Sequence, residues 1–151
     1  MKNFRVNLRP ESYRNINDFG EIYIELDNFA FPDKNWTDFG RVIVPWWLDA
    51  IRKLLLNEKE VLCSFMDGPY RFSIKNFNEN GWHIQFLEER EETRVCAEGK
   101  VSADEVTNEV LSAFKKIIDL YKTENNTEKV QALEHFNREF IEIQQKRKTK
   151  K

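Results

Sequence analysis

Residues 60–86, EVLCSFMDGPYRFSIKNFNENGWHIQF, carry the pattern that decides the fold class. Val61, Cys63 and Phe65 alternate with Leu62, Ser64 and Met66, and Tyr70, Phe72 and Ile74 alternate with Arg71, Ser73 and Lys75. Trp82, Ile84 and Phe86 then alternate with His83 and Gln85. Successive side chains of a strand point to opposite faces, so this alternation predicts strands with one face buried. Asp67-Gly68-Pro69 is a turn sequence, and Asn80-Gly81 is a strong two-residue hairpin signal. The stretch therefore reads as an antiparallel meander. It continues through the charged connection Glu88 to Glu92 into a last strand, with Val95 and Ala97 on one side and Arg94, Cys96 and Glu98 on the other.

A sheet with one apolar face needs a cover, and the flanking sequence supplies it. Upstream, Pro45 suits the first position of a helix, which needs no donated N–H. Trp47, Leu48, Ile51, Leu54 and Leu55 follow at helical spacing. Downstream, Ser102-Ala-Asp-Glu105 has the form of a capping box, in which the two side chains satisfy each other's backbone N–H groups. It opens an amphipathic helix with Val106, Val110, Ala113, Phe114, Ile117, Ile118 and Tyr121 in one stripe. A third helix is expected from about residue 128 to 146. At the N-terminus, residues 3–9 and 20–29 read as strands, and residues 31–40 as an ordered loop. The predicted order is β-β-α-β-β-β-β-α-α, an α+β fold whose largely antiparallel sheet carries helices packed on one face. One domain over residues 1–145 and a basic tail over 146–151 are expected.

The totals agree with that reading. A chain of 151 residues with 40% hydrophobic side chains can hold a core without disulfides or a structural metal. The two cysteines, Cys63 and Cys96, fit small buried side chains in a reducing compartment, so a cytoplasmic location is expected. The longest apolar cluster, Val42 to Leu48, is broken by Pro45 and is too short to span a bilayer. Five of the last six residues are basic. Without them, 19 basic side chains stand against 26 acidic ones, a body charge of −7.

Candidate chemistry is sparse. His83 and His135 stand in no triad-like local motif, although triads assemble in space. Cys63, His83, Cys96 and His135 are isolated from one another in sequence, whereas zinc ligands come at tight spacing, so no metal is expected. No glycine-rich loop follows a strand, which removes the nucleotide fingerprints, and no cofactor is expected. Asp67 beside Gly68 reads as a turn cap, and Asp38 as either an acidic group or a turn cap. Glu88-Glu89-Arg90-Glu91-Glu92 is at once a solvated hairpin tip and a landing surface for a basic partner. Lys146 to Lys151 complements a helix C-terminus and offers at most a weak, salt-sensitive attraction to nucleic acid. Trp46 and Trp47 point about 100° apart on a helix, so one of them is free to anchor an interface.

Asn35-Trp-Thr-Asp-Phe39, Trp46-Trp47-Leu48 and Phe65-Met-Asp-Gly-Pro-Tyr70 together resemble a pattern in small bacterial proteins of uncharacterised function. Some of those are thought to be immunity proteins encoded beside polymorphic toxins. The resemblance spans residues 31–75 and assigns no site residue. With the acidic body and the missing catalytic groups, the resemblance points to a protein-binding module without catalysis, with a toxin-neutralising immunity protein as its concrete form; the acidic body suits a basic toxin as partner. Candidate binding residues are Glu88, Glu89, Glu91 and Glu92, with Trp36 and Trp46 as anchors. An enzyme or small-ligand binder using Asp38, Asp67 and Tyr70 is the alternative, and weak nucleic-acid binding through the tail a second one.

Overall fold

The computed structural model describes residues 1–77 and 81–149. Its elements are β1 (Phe4–Leu8), β2 (Gly20–Leu26), β3 (Phe29–Phe31), β4 (Thr37–Asp38), α1 (Gly40–Leu55), β5 (Glu60–Ser64), β6 (Tyr70–Asn76), β7 (Gly81–Glu89), β8 (Thr93–Ser102), α2 (Ala103–Thr123) and α3 (Thr127–Thr149). The fold is α+β, as the alternation and the two helical stripes required. Asn80 of the expected hairpin turn, and Lys150 and Lys151 of the expected tail, lie outside the described residues.

The meander forms an antiparallel sheet in the order β5-β6-β7-β8. Its inner face buries Val61, Cys63, Phe72, Ile74, Trp82, Ile84, Phe86 and Val101, which are the alternating apolar positions. One register shift falls between Phe86 and Leu87, which pair with Ala97 and Val95, so Cys96 is an extra residue in β8. That bulge corrects the expected alternation. Val95 and Ala97 lie opposite neighbours on β7 that face opposite ways, and Val95 is left exposed.

The N-terminal strands form a second antiparallel sheet, β1-β2-β3, with β4 pairing to the other half of β2. The expected strand over 20–29 is therefore two strands, turning at Asp27, whose φ is +53°. Likewise the segment expected as a loop carries β4 and the end of β3. The two sheets meet where Phe31 stacks on Phe86, with centroids 4.6 Å apart and planes 8° apart. They also touch at one edge, where the Lys2 N–H donates to the Lys100 carbonyl at 2.8 Å.

Helix α1 starts five residues before Pro45. Pro45 lies inside it and only removes the donor that would have reached the Arg41 carbonyl. Gly40 opens the helix because Tyr13 fills the space beside it: a Cβ there would overlap the Tyr13 hydroxyl and lie 2.8 Å from Cζ. Trp47 packs edge-on against Phe65 and Phe72 at 5.1 Å, which fastens α1 to the meander. Helix α2 is capped by the Ser102 side chain, which accepts from the Glu105 N–H at 3.2 Å. The return bond of the expected capping box is not made, because the Glu105 carboxylate accepts from the Phe4 N–H in β1 instead. Helix α3 buries Phe140 fully and sets Phe136 against Phe114 of α2 at 5.7 Å. It runs on through Lys146, Arg147 and Lys148, past the boundary expected at residue 145, and Arg147 lies 5.9 Å over the Trp82 ring.

A buried ion pair locks the junction of these elements. Arg41, with 1% of its side chain exposed, donates to both carboxylate oxygens of Glu124 at the end of α2, one of them at 2.7 Å. It also donates to the carbonyls of Asn17 and Tyr13 and lies 4.8 Å over the Tyr121 ring. The guanidinium's hydrogen bonds hold the Glu124 carboxyl below its ordinary range.

Candidate protein-binding surface

Asp38 is fully buried, and its carboxylate accepts four N–H groups. Oδ1 takes the main-chain donors of Phe39 at 2.7 Å and Met66 at 3.1 Å. Oδ2 takes the main-chain donor of Asp67 at 3.0 Å and the Trp36 indole at 3.1 Å. A carboxylate offers about four lone-pair positions, so this one is saturated. It works as a turn cap that reaches well beyond its own turn, pinning the β5–β6 connection and the Trp36 ring to the start of α1. Burial and this local packing also push the Tyr13 phenol above its ordinary value, with its hydroxyl 3.3 Å from the Asp38 carbonyl.

What Asp38 gathers is an aromatic and apolar patch. Trp36 packs edge-on against Tyr70 at 5.3 Å, and Phe39 against Phe19 at 5.0 Å. Met66, held by its main-chain bond, leaves its side chain largely in solvent. Along α1, Val42 and Trp46 follow Phe39 at spacings of three and seven, which puts them on the same helical face. Trp46 is 51% exposed, while its neighbour Trp47 is fully buried and donates its indole N–H to the Ser64 carbonyl at 2.9 Å. Of the adjacent tryptophans, one is thus exposed and the other belongs to the core. Gly68, at φ +77°, makes the turn under Tyr70 that a side-chain-bearing residue would strain.

The acidic run joins this patch at Tyr70. Tyr70 pairs with Glu88 across the β6–β7 ladder, and the Glu89 N–H donates to the Pro69 carbonyl at 2.7 Å. Of the expected landing residues, Glu88 contacts Arg90 and Arg94 at 3.1 Å each, and Glu89 contacts Arg71 at 3.4 Å. The hydrogen bond from Arg90, with the nearby charge of Arg94, lowers the Glu88 carboxyl below its usual range. Four carboxylates therefore stand beside three guanidiniums, and the local charge is −1. Glu91 and Glu92 are exposed and make no ion pair among the described residues.

The structure thus brings Trp36 together with Glu88 and Glu89 through Tyr70, and sets Glu91 and Glu92 at the outer tip. Trp46 lies about 10 Å along the helix from Phe39, on the same helical face. Sequence reasoning missed Phe39 and Met66 as patch members and Arg71, Arg90 and Arg94 as neutralisers. The Trp36-Thr-Asp38 spacing was the one local hint of the indole–carboxylate bond. The grouping of Asp38, Asp67 and Tyr70 into an acidic pocket is not what the Asp38 side chain does, since main-chain donors and an indole fill it.

Other candidate groups stay apart. Cys63 on β5 and Cys96 on β8 are separated by two intervening strands, roughly 14 Å. Burial pushes the Cys63 thiol up, away from the reactive thiolate. His83 packs edge-on against Phe77, and His135 lies 3.0 Å from Glu139 on the exposed side of α3. Among the described residues no group of three or more histidine, cysteine or acidic side chains is placed to hold a metal, and no helix is long and apolar enough to cross a membrane. Compared with known family models, curated proteins and solved structures, the chain matches none.

Proposed function

We propose that this chain is a stoichiometric protein-binding module acting in the cytoplasm, and that its partner is a basic protein, with a secreted-type toxin as the concrete case. The observation that carries this reading is the junction of the Asp38-centred aromatic cluster with the acidic tip at Tyr70. Trp36 packs on Tyr70 beside the tip, Met66 is tied to the same aspartate as Trp36, and the tip's two outermost carboxylates make no ion pair among the described residues. Aromatic residues, methionine and arginine are the side chains enriched at interface cores, and a charged rim steers encounter. Asp38 gives the patch a rigid base, so little ordering has to accompany binding.

Within this reading, Trp36 and Trp46 are anchors and Glu91 and Glu92 set the association rate. Glu88 and Glu89, already paired, contribute mainly to the shape of the tip. The test is affinity capture from a lysate of the source organism, followed by binding kinetics with the purified partner. One basic protein retained near one-to-one is expected. Glu91→Lys with Glu92→Lys should slow its association at low salt, and Trp46→Ala should speed its dissociation. Kinetics unchanged in both variants would remove this surface as the binding site.

A further inference from the structure

β1 is the edge of its sheet, and α2 runs beside it. Residues of β1 alternate between two partners. The odd positions bond to β2, as the 2.8 Å contact of the Asp27 N–H with the Asn3 carbonyl and the 3.2 Å contact of the Arg9 N–H with the Glu21 carbonyl show. The even positions point their N–H groups outward, toward α2. Phe4 donates to the Glu105 carboxylate and Val6 to the Glu109 carboxylate at 3.0 Å. The match is geometric: four helical residues rise about 6 Å, and two strand residues about 6.6 Å. Two glutamates one turn apart thus stand in for the carbonyls of a neighbouring strand.

The next outward donor is Leu8. Its opposite residue, Ile22, sends its own N–H the other way, to the Trp36 carbonyl at 2.9 Å, so Leu8 and Ile22 do not bond to each other. One turn beyond Glu109, α2 offers Ser112, Ala113 and then Lys116, with no carboxylate. The Leu8 N–H finds no acceptor among the described residues, although Leu8 is only 5% exposed. It opens on a groove of about 450 Å³ whose charged lining is Arg5, Arg9, Lys116, Glu21 and Glu109. Glu109 is occupied by Val6, and Glu21 lies 3.6 Å from Arg9. Arg5 and Lys116 make no ion pair among the described residues. The lining carries three cations against two anions, a local excess of +1 on a body that is otherwise acidic.

We infer that this groove binds a small oxyanion, a carboxylate or a phosphoryl group, as the third rung of the ladder that Glu105 and Glu109 begin. The Leu8 N–H supplies the directed donor and Lys116, Arg9 and Arg5 the charge. An anion there satisfies a buried donor that the chain leaves open, and charge-assisted bonds of this kind are the strong ones.

The test follows amide resonances of the full chain by two-dimensional NMR during titration with inorganic phosphate and, separately, with succinate. Sodium chloride keeps the ionic strength constant. A saturable shift of the Leu8 amide is expected with at least one probe. Phosphate alone acting points to a phosphoryl ligand, succinate alone to a carboxylate, and both to any oxyanion of that size. Arg9→Gln with Lys116→Gln should weaken the response about tenfold or more. Ser112→Glu should abolish it, because the chain then carries its own third carboxylate, and its exposed position spares the core. A Leu8 amide unmoved by both probes, or a response that survives Ser112→Glu undiminished, would overturn the assignment.

Discussion

Two sets of carboxylates frame the same patch and behave as opposites. Asp38 is buried and saturated by four donors drawn from two segments, residues 36–39 and 66–67. The run from Glu88 to Glu92 is concentrated in sequence, yet three arginines from two strands and the tip take up most of its charge. A lone aspartate thus holds the architecture, while the conspicuous acidic run supplies only two free charges. Carboxylates matter according to what faces them, and neighbours in space decide that, whatever the local count in the chain.

Removing each set in turn tests the contrast. Asp38→Ala leaves four donors facing a void, and unsatisfied buried donors cost about 1–3 kcal/mol each before relaxation. A loss of about 4 kcal/mol in chemical denaturation is expected, with Asp38→Asn intermediate because it keeps one acceptor oxygen. A change below about 1 kcal/mol for the alanine variant would erase the distinction between the two regions. Arg41→Ala, which strands Glu124 at the neighbouring junction, should cost about 3 kcal/mol in the same measurement, since breaking a buried pair exposes the desolvation cost of the remaining charge.

Acid titration sharpens the comparison further. The Glu124 carboxyl is lowered in the folded chain, chiefly by its hydrogen bond to Arg41. Its contribution is therefore fully present above the carboxyl's ordinary unfolded value and is lost as pH falls through the lower folded value. Glu124→Gln should flatten that part of the stability–pH curve, and an acid limb identical to that of the parent chain would contradict the pairing. Next in size, Trp36→Phe deletes the indole donor to Asp38 and should cost about 1 kcal/mol in thermal or chemical unfolding. Smallest of all, Glu91→Gln with Glu92→Gln should leave stability within about 0.5 kcal/mol, as expected for exposed, unpaired charges. The same double variant should still slow association with a basic partner at low salt. Unaltered rates there would confine any role of the tip to its shape.

Legibility from sequence followed the range of the interactions. The strands β5 to β8 and the helix α2 were readable because alternation, a serine cap and a heptad-like stripe are local signals. The start of α1 was misread at Pro45 because the reason the helix starts at Gly40, the close approach of Tyr13, lies 27 residues earlier in the chain. The bulge at Cys96 left no local mark, since a single extra residue is visible only against its partner strand. Trp36, Trp46 and the acidic run were all identifiable as surface candidates. That Arg71 and Arg94 would discharge Glu89 and Glu88 required the ladder register. That Met66 and Asp67 would donate to Asp38 required a contact 28 and 29 residues away. The half-made capping box has the same origin, because Glu105 answers a strand at the other end of the chain.

That last arrangement bears on how the polypeptide is made. The glutamates that close the edge of β1 stand 101 and 103 residues downstream of the amides they accept. At synthesis rates of about 5–20 residues per second, the first strand waits roughly 5–20 s before its cover has been translated. Through that interval its outward amides lack their acceptors even when β2 has paired, because β2 engages only the odd positions and the two glutamates are still to be made.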